Sequence, residues 1–329
     1  MARKPVFISA DATEKVLAWP DMIEGLRAAY AAPHNPQTSY RAVARGNGNW
    51  VRGLVSVPPA SKHMGAKVFG FVRGRRVSYL VPLFDQETAE LVALVDALHV
   101  TALRTAATSA VAIDILAPKR TLSVAVLGSG TEAQGHLRAL NAVRTLGSAK
   151  VFSPTATNRD KFAASFSAEL GIPVKPVATA AAAVEGADII IAAARSHDET
   201  PILSGDWLRP GVLLVSIGST LPEQRELDIR TVEVCDLIVC DMVHEVIDET
   251  GDFIAVKEQG GIAFEHKMMS LNDLVMGKFV DRVAAARHPM FKSVGAAVQD
   301  ITVAEIAYAK AIERGLAVEL PMELSVRIL

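Results

Sequence analysis

The sequence predicts a mixed α/β protein built around two kinds of sheet, and three observations predict it. From Thr121 onward, unbroken apolar runs alternate with helical stretches, the pattern of a parallel sheet covered on both faces. Ahead of Leu98, β-branched runs are punctuated by Gly, Pro and charged turns, the pattern of a mostly antiparallel sheet. After Gly295 the chain turns helical again and is expected to rejoin the first part, which makes that part discontinuous.

The elements follow in order. Residues 4–9 form a short strand. Residues 20–32 form a helix, with Met22, Ile23, Leu26 and Tyr30 on one side. The runs LVSVP, KVFGF, SYLVPLFD and ELVALVD are strands. Residues 99–116 form one Ala-rich helix, capped by Thr101 and ended by Pro118. SVAVLG opens the second part, and KVFS, PVKPV, DIIIAAA, VLLVSIG and LIVCD supply its further strands. Helices are expected over 132–146, over 159–170 and over the alanine run 178–187, since Ala has the best helix propensity. FKSVG reads as a crossing back to the first part, and residues 295–314 as a closing helix.

Bulk properties exclude several classes. A chain of 329 residues suffices for two domains and a large core. A net charge of −2 gives no general attraction for nucleic acid or acidic membranes. No apolar run reaches the roughly 18–20 residues that span a bilayer. Asp11, Glu14 and Lys15 interrupt the start of the chain before a signal-peptide core can form, so the expected location is the cytoplasm. Cys235 and Cys240 are the two cysteines; they exclude a disulfide framework and fit no zinc spacing. The eight histidines make no His-x-x-x-His or His-x-His pair, and no metal site is expected.

Gly128-Ser-Gly130-Thr131-Glu132-Ala133 follows directly on SVAVL and opens a helix. This is the G-x-G-x-x-G/A fingerprint in its strand–turn–helix setting, and it predicts a Rossmann dinucleotide-binding domain. Gly128 allows the tight turn, Gly130 lets a pyrophosphate approach the backbone, and Ala133 allows close helix–strand packing. The helix N-terminus offers free N–H groups to the phosphates. An NAD-binding domain carries Asp or Glu at the end of its second strand. Ser153 stands there instead, followed by Thr155 and Arg159. Without a carboxylate to repel it, a 2′-phosphate fits, and arginine suits phosphate geometry. NADP is the expected cofactor, with NAD as the alternative.

TALRTAATSAVAIDILA ahead of the fingerprint, GAKVFGF upstream, and SIGSTLPEQRELD and FKSVGAAVQD downstream occur in one order. With these motifs the chain resembles the ornithine cyclodeaminase/mu-crystallin family over almost its whole length. That family includes ornithine and lysine cyclodeaminases, archaeal alanine dehydrogenase and ketimine reductases. The resemblance implies a homodimer. It also implies a substrate-binding and dimerisation domain of residues 1–119 and 295–329, around a dinucleotide domain of residues 120–294. Lys67 looks like the family's active-site lysine. Arg41 matches the arginine that binds the substrate carboxylate, Arg104 a second arginine near substrate and cofactor, and Thr105 a neighbouring cofactor contact. Gly218 and Ser219 fall in a motif expected to touch the cofactor. The chemistry agrees: a bidentate arginine holds a carboxylate best, and a buried lysine near arginines has a lowered pKa suited to proton transfer.

Two positions depart from the family. The position of the cyclodeaminase and alanine dehydrogenase aspartate is Thr220, which hydrogen-bonds but cannot act as a base at neutral pH. A second acidic position is Val55. Mu-crystallin-like ketimine reductases also lack the aspartate. The resemblance therefore implies an NAD(P)H-dependent reductase of an α-imino acid, or the reverse amino acid dehydrogenase. Lys67 and Thr220 are its expected catalytic positions. A cyclodeaminase that recycles bound NAD and releases ammonia is one alternative, and a non-catalytic NADPH-binding protein is another. Arg52 and His63 flank the strand leading to Lys67 and suit a second acidic group, although charged side chains are expected at the surface. Asp300 matches a family aspartate that either caps the last helix or approaches the site.

Overall fold

The computed structural model describes residues 4–59, 61–72, 76–196, 198–322 and 324–326. The chain begins with β1 (Val6–Ile8), α1 (Ala10–Val16) and α2 (Trp19–Tyr30). It continues through β2 (Ser39–Gly46), β3 (Asn49–Ser56), β4 (His63–Val72), β5 (Arg76–Asp85) and β6 (Leu91–Asp96) into α3 (Leu98–Leu116). Next come β7 (Leu122–Leu127), α4 (Thr131–Val143), β8 (Leu146–Phe152), α5 (Ala156–Leu170), β9 (Val174–Pro176), α6 (Ala180–Val184), β10 (Ile189–Ala192) and β11 (Leu213–Ser216). The following stretch holds α7 (Ile229–Val234), β12 (Leu237–Cys240), α8 (Val243–Glu249), α9 (Gly251–Gln259), β13 (Met268–Ser270), α10 (Leu271–Val275), α11 (Val280–Ala285) and β14 (Pro289–Lys292). The chain closes with α12 (Ala297–Glu313) and β15 (Val318–Glu319). It divides into two compact units: Met1–Thr108 with Ala296–Leu329, and Ser109–Gly295, the first division falling inside α3.

The first unit carries a sheet in the order β15-β1-β6-β5-β4-β3-β2. All its pairs are antiparallel except β1 with β6. β2 and β3 form a hairpin through Asn47 (φ 53°) and Gly48 (φ 75°), a type I′ turn whose two positive φ angles suit Asn-Gly. The strand period of two then sets the faces. Arg41, Leu54 and Lys67 lie in one cross-strand row on the inner face. Across that face runs α12, packed on β1 to β6. Its small buried residues Ala297, Ala304, Ala307 and Ala311 bring it close to the strands. Tyr40, Val55, Val68 and Leu80 project from the opposite face and are exposed.

The second unit carries an all-parallel sheet in the order β13-β12-β14-β11-β10-β7-β8-β9. The chain runs from β7 outward to β8 and β9, then returns to β10 on the other side of β7. The reversal puts a topological switch point at the carboxyl ends of β7 and β10, where open α/β sheets bind ligands. Among the described residues, no helix is long and apolar enough to cross a membrane.

The structure corrects the sequence reading in several places. Thr101 does not cap α3: the helix begins at Leu98, whose N–H donates to Asp96 Oδ1. The alanine run is helical only from Ala180 to Val184, because Thr179 caps it from within the run through Ala182 N–H. FKSVG is not simply a crossing. Phe291 and Lys292 end β14, which sits inside the sheet between β11 and β12. α1, capped by Ser9, was not expected.

Lys292 is fully buried and donates to Asp252 Oδ2 (3.0 Å) and Ser216 Oγ (2.9 Å). Asp252 Oδ1 accepts the N–H groups of Glu226 and Leu227. Glu226 in turn accepts Ala194 N–H, Gly218 N–H and the Ser216 hydroxyl. Two carboxylates thus surround one ammonium in a fully buried cluster. Burial raises the Glu226 carboxyl to about 7; the Lys292 ammonium lowers it and Asp252 adds to the rise. Removing one partner of a buried ion pair costs about 3–5 kcal/mol. Lys292→Met is therefore expected to lower the free energy of urea unfolding by about that amount. A loss under about 1 kcal/mol would show that the cluster does not hold the unit together.

Candidate active site

The expected site residues form two groups, one in each unit. In the first unit, β4 delivers Lys67 to the underside of α12, with 1% of its surface exposed. Its Nζ donates to Asp300 Oδ1 at 2.9 Å. Arg104, from α3, places Nε 2.9 Å from the same oxygen. Arg104 also donates to Gln299 Oε1 at 2.6 Å, and the Gln299 amide donates to the Tyr30 hydroxyl at 2.8 Å. Arg41 reaches the cluster from β2 and is buried as well. The Lys67 ammonium lies over the rings of Phe69 (5.2 Å) and Tyr79 (5.9 Å).

This setting decides the proton affinity of Lys67. Burial is the largest influence and penalises the charged form. Arg104 pushes in the same direction, as does Arg41 more weakly, while the Asp300 charge and hydrogen bond oppose them. The balance lowers Lys67 from 10.5 to about 7. A lysine so placed both holds and releases a proton at neutral pH.

Asp300 does not cap α12. Ala296 occupies the N-cap position, and the Asp300 carboxylate turns to Lys67 and Arg104. Arg52 is not a surface residue either: it is buried on the inner face, over the rings of Trp50 and Phe69. His63 is largely covered, with Nδ1 2.8 Å from Glu305 and its ring edge-on to Tyr308. That pairing ties β4 to α12. Val55 points to the outer face, away from the Arg41 and Lys67 row. Thr105 is half-buried, and its hydroxyl donates to Thr101 O within α3.

In the second unit the fingerprint turn closes β7 onto α4. Gly128 has φ +119°, and a Cβ there would stand 2.8 Å from Ala193 O, so only glycine fits without a shift. At Gly130 a Cβ would meet nothing within 4 Å: the turn faces open space. Gly130 is the N-cap of α4 and makes no side-chain cap bond, which leaves the first-turn N–H groups without a capping side chain. Thr131 is exposed, Glu132 half-buried, and Ala133 fully buried against the sheet. A surface that is open, glycine-lined and ringed by helix N–H groups fits a pyrophosphate.

At the end of β8, Ser129 Oγ donates to Ser153 Oγ (3.1 Å), and Arg159 donates to Ser153 O (3.0 Å). Arg159 thus turns back to the end of β8. Thr155 is exposed at the N-cap of α5. Past β11, Gly218 N–H is held by Glu226. Ser219 is fully buried, and its hydroxyl is committed to Gln224 O at 2.6 Å. Thr220 gives both its N–H and its hydroxyl to Gln224 Oε1. Among the described residues, no group of three or more His, Cys, Asp and Glu is placed to hold a metal ion.

Sequence reasoning missed Gln299 and Tyr30, which fix Arg104, and the Glu226–Asp252–Lys292 cluster that fixes the Gly218 loop. Gln299 stands beside Asp300 in AVQD and Glu226 within QREL, so both lay in motifs already singled out.

The model of the ornithine cyclodeaminase/mu-crystallin family matches residues 55–315. A Delta(1)-pyrroline-2-carboxylate reductase of Bacillus cereus is 30% identical over 263 residues, 80% of this chain and 78% of that one. The ketimine reductase mu-crystallin of Rattus norvegicus is 28% identical over 332 residues, 94% of this chain and 98% of that one. Among solved structures, the Thermococcus litoralis Delta(1)-pyrroline-2-carboxylate reductase in complex with NADH and L-proline superposes with a TM-score of 0.86 at 29% identity. That match covers 96% of this chain and all of the other.

Proposed function

The chain belongs to the ornithine cyclodeaminase/mu-crystallin family, and from that premise we propose that it is an NAD(P)H-dependent reductase of α-imino acids. The observation that carries this reading is Lys67, buried between Asp300 and two arginines and poised to exchange a proton near pH 7. The relatives named pyrroline-2-carboxylate reductase and ketimine reductase support it.

Residues 1–119 with 295–329 bind the imino acid in this reading, and residues 120–294 bind the dinucleotide. The turn from Gly128 to Ala133 would hold the pyrophosphate, Ser153, Thr155 and Arg159 would read the ribose, and Gly218 and Ser219 would contact the cofactor. The bound dinucleotide supplies the hydride. Arg41 and Arg104 grip the substrate carboxylate, since arginine pairs with it bidentately. Lys67, as the ammonium, gives its proton to the imine nitrogen, so the product is the amine and Lys67 is left neutral. In the reverse direction neutral Lys67 takes that proton. Thr220, bound to Gln224, orders its loop and is no base.

Ser153 and Arg159 support NADP as the preferred cofactor, because a serine stands at the end of β8 where NAD-binding domains carry an acid and the Arg159 guanidinium lies beside it. The exposed apolar face of the first unit's sheet, with Tyr40, Val55, Val68 and Leu80, supports a homodimer that covers it.

The central test is a panel of cyclic imino acids, and of 2-oxo acids with ammonia or methylamine, followed by NADPH and NADH oxidation. Turnover is expected to fall as pH rises through about 7, as Lys67 loses its proton. Lys67→Ala is expected to lower kcat by about a hundredfold or more while dinucleotide affinity stays within about twofold. Normal turnover by that variant refutes the role given to Lys67. Ser153→Asp is expected to move the NADPH-to-NADH preference by about tenfold toward NADH, about 1.4 kcal/mol; an unchanged ratio means that the ribose is read elsewhere. In light scattering the protein is expected at twice the chain mass, and Val68→Glu at the mass of one chain. A monomeric wild type rejects the dimer.

A further inference from the structure

We propose that Asp300 is a positioning residue for this reduction: its carboxylate helps hold the proton on Lys67 against burial and the neighbouring arginines and aims the ammonium, although it is not itself the proton donor. The inference deepens the reductase reading and rests on it.

Asp300 lies in the first turn of α12, where an aspartate ordinarily serves its own helix. Here its charge serves two other elements instead. Oδ1 stands 2.9 Å from Lys67 Nζ on β4 and 2.9 Å from Arg104 Nε on α3. Oδ2 is buried and accepts no hydrogen bond among the described residues. A carboxylate that is fully buried, with one oxygen shared by two cations and the other unused, is a costly arrangement. Helix capping does not explain it, and packing alone would favour an apolar side chain of similar volume. Its effect on Lys67 does explain it.

The groups facing Lys67 are Arg104 from α3, Arg41 from β2, and the rings of Phe69 on β4 and Tyr79 on β5. Arg52 lies one diagonal away on β3. Burial and the arginines drive the proton off Lys67, and Asp300 is the partner that opposes them through both charge and hydrogen bond. Without that charge the lysine would be neutral at the pH where it must give a proton to the imine. Gln299, the preceding residue, anchors Arg104 and thereby keeps the second cation at its distance.

The test is Asp300→Asn, which keeps the shape and an oxygen acceptor and removes the charge. Two readouts are followed against pH: kcat/KM for imine reduction, and the Cε–Hε resonance of Lys67 in protein labelled with [13Cε]lysine, assigned by its loss in Lys67→Arg. Both the alkaline limb of activity and the Lys67 titration are expected to move to lower pH by about one unit or more, a tenfold change in proton affinity. Asp300→Glu, which restores the charge, is expected to bring the titration back to within about half a unit of wild type.

A Lys67 titration that Asp300→Asn leaves in place overturns the proposal, even where the rate falls, because a merely structural role lowers rate without moving the resonance. Should the Asn variant not fold, Asp300→Ala, which also removes the charge, is read in its place: a titration moved to lower pH upholds the proposal and an unmoved one overturns it. If wild type turns over no imine, the reductase reading fails, and the resonance still reports whether Asp300 holds the proton on Lys67.

Discussion

A buried lysine needs an anion, and the first unit is arranged around that need. The strand period puts Arg41 and Lys67 on one face of the sheet, in one row across β2, β3 and β4. Neither cation is tolerable there unless the covering element brings polar partners. α12 does so: it is largely small and apolar where it crosses the strands, yet carries Gln299 and Asp300 side by side in its first turn. The same helix therefore completes the core and completes the charge arrangement. The C-terminal segment consequently has to fold back onto the N-terminal sheet, and the unit is discontinuous in sequence.

The second unit solves a similar problem with a different result. Lys292 is as buried as Lys67 and is also paired with an aspartate, but Asp252 and Glu226 outnumber it. There burial acts on an acid, raising Glu226 to about 7. Its oxygens are spent on the backbone of Ala194 and Gly218, at the ends of β10 and β11. The cluster fixes the backbone beside the switch point, whereas the Lys67 cluster keeps a side chain ready to exchange a proton. Burial acts on both; charge balance decides which group gives way.

Much of this was legible in the sequence, for physical reasons that differ by element. The fingerprint turn was readable because Gly128, Gly130 and Ala133 answer a local steric demand. The parallel strands were readable because burial on both faces leaves unbroken apolar runs. Lys67 stood out as a charge inside an apolar strand run of the antiparallel sheet. What stayed hidden depends on pairs far apart in the chain. Lys67 and Asp300 are 233 residues apart, and nothing local to AVQD separates a helix cap from a site partner. Lys292 was hidden because β14 is only four residues long and reads as a connection. Arg52 was misjudged because burial over Trp50 and Phe69 is decided by the register of a hairpin whose Asn-Gly turn is the one local clue.

The threonine at position 220 bears on which proton chemistry the chain can perform. Where the cyclodeaminases and alanine dehydrogenase of the resembled family carry an aspartate, Thr220 spends its hydroxyl on Gln224. A hydroxyl so bound accepts no proton at neutral pH. The Asp300 carboxylate is already paired with Lys67 and Arg104. In the proposed reduction, proton transfer rests on Lys67, and a single group that titrates near 7 needs to move only one proton per cycle. Reducing a C=N bond asks for one: hydride arrives at carbon and a proton at nitrogen. Cyclodeamination asks for more, since ammonia must leave and a ring must close, each with its own proton movement. The absence of a carboxylate at position 220 therefore matches a reaction that ends once the amine is formed.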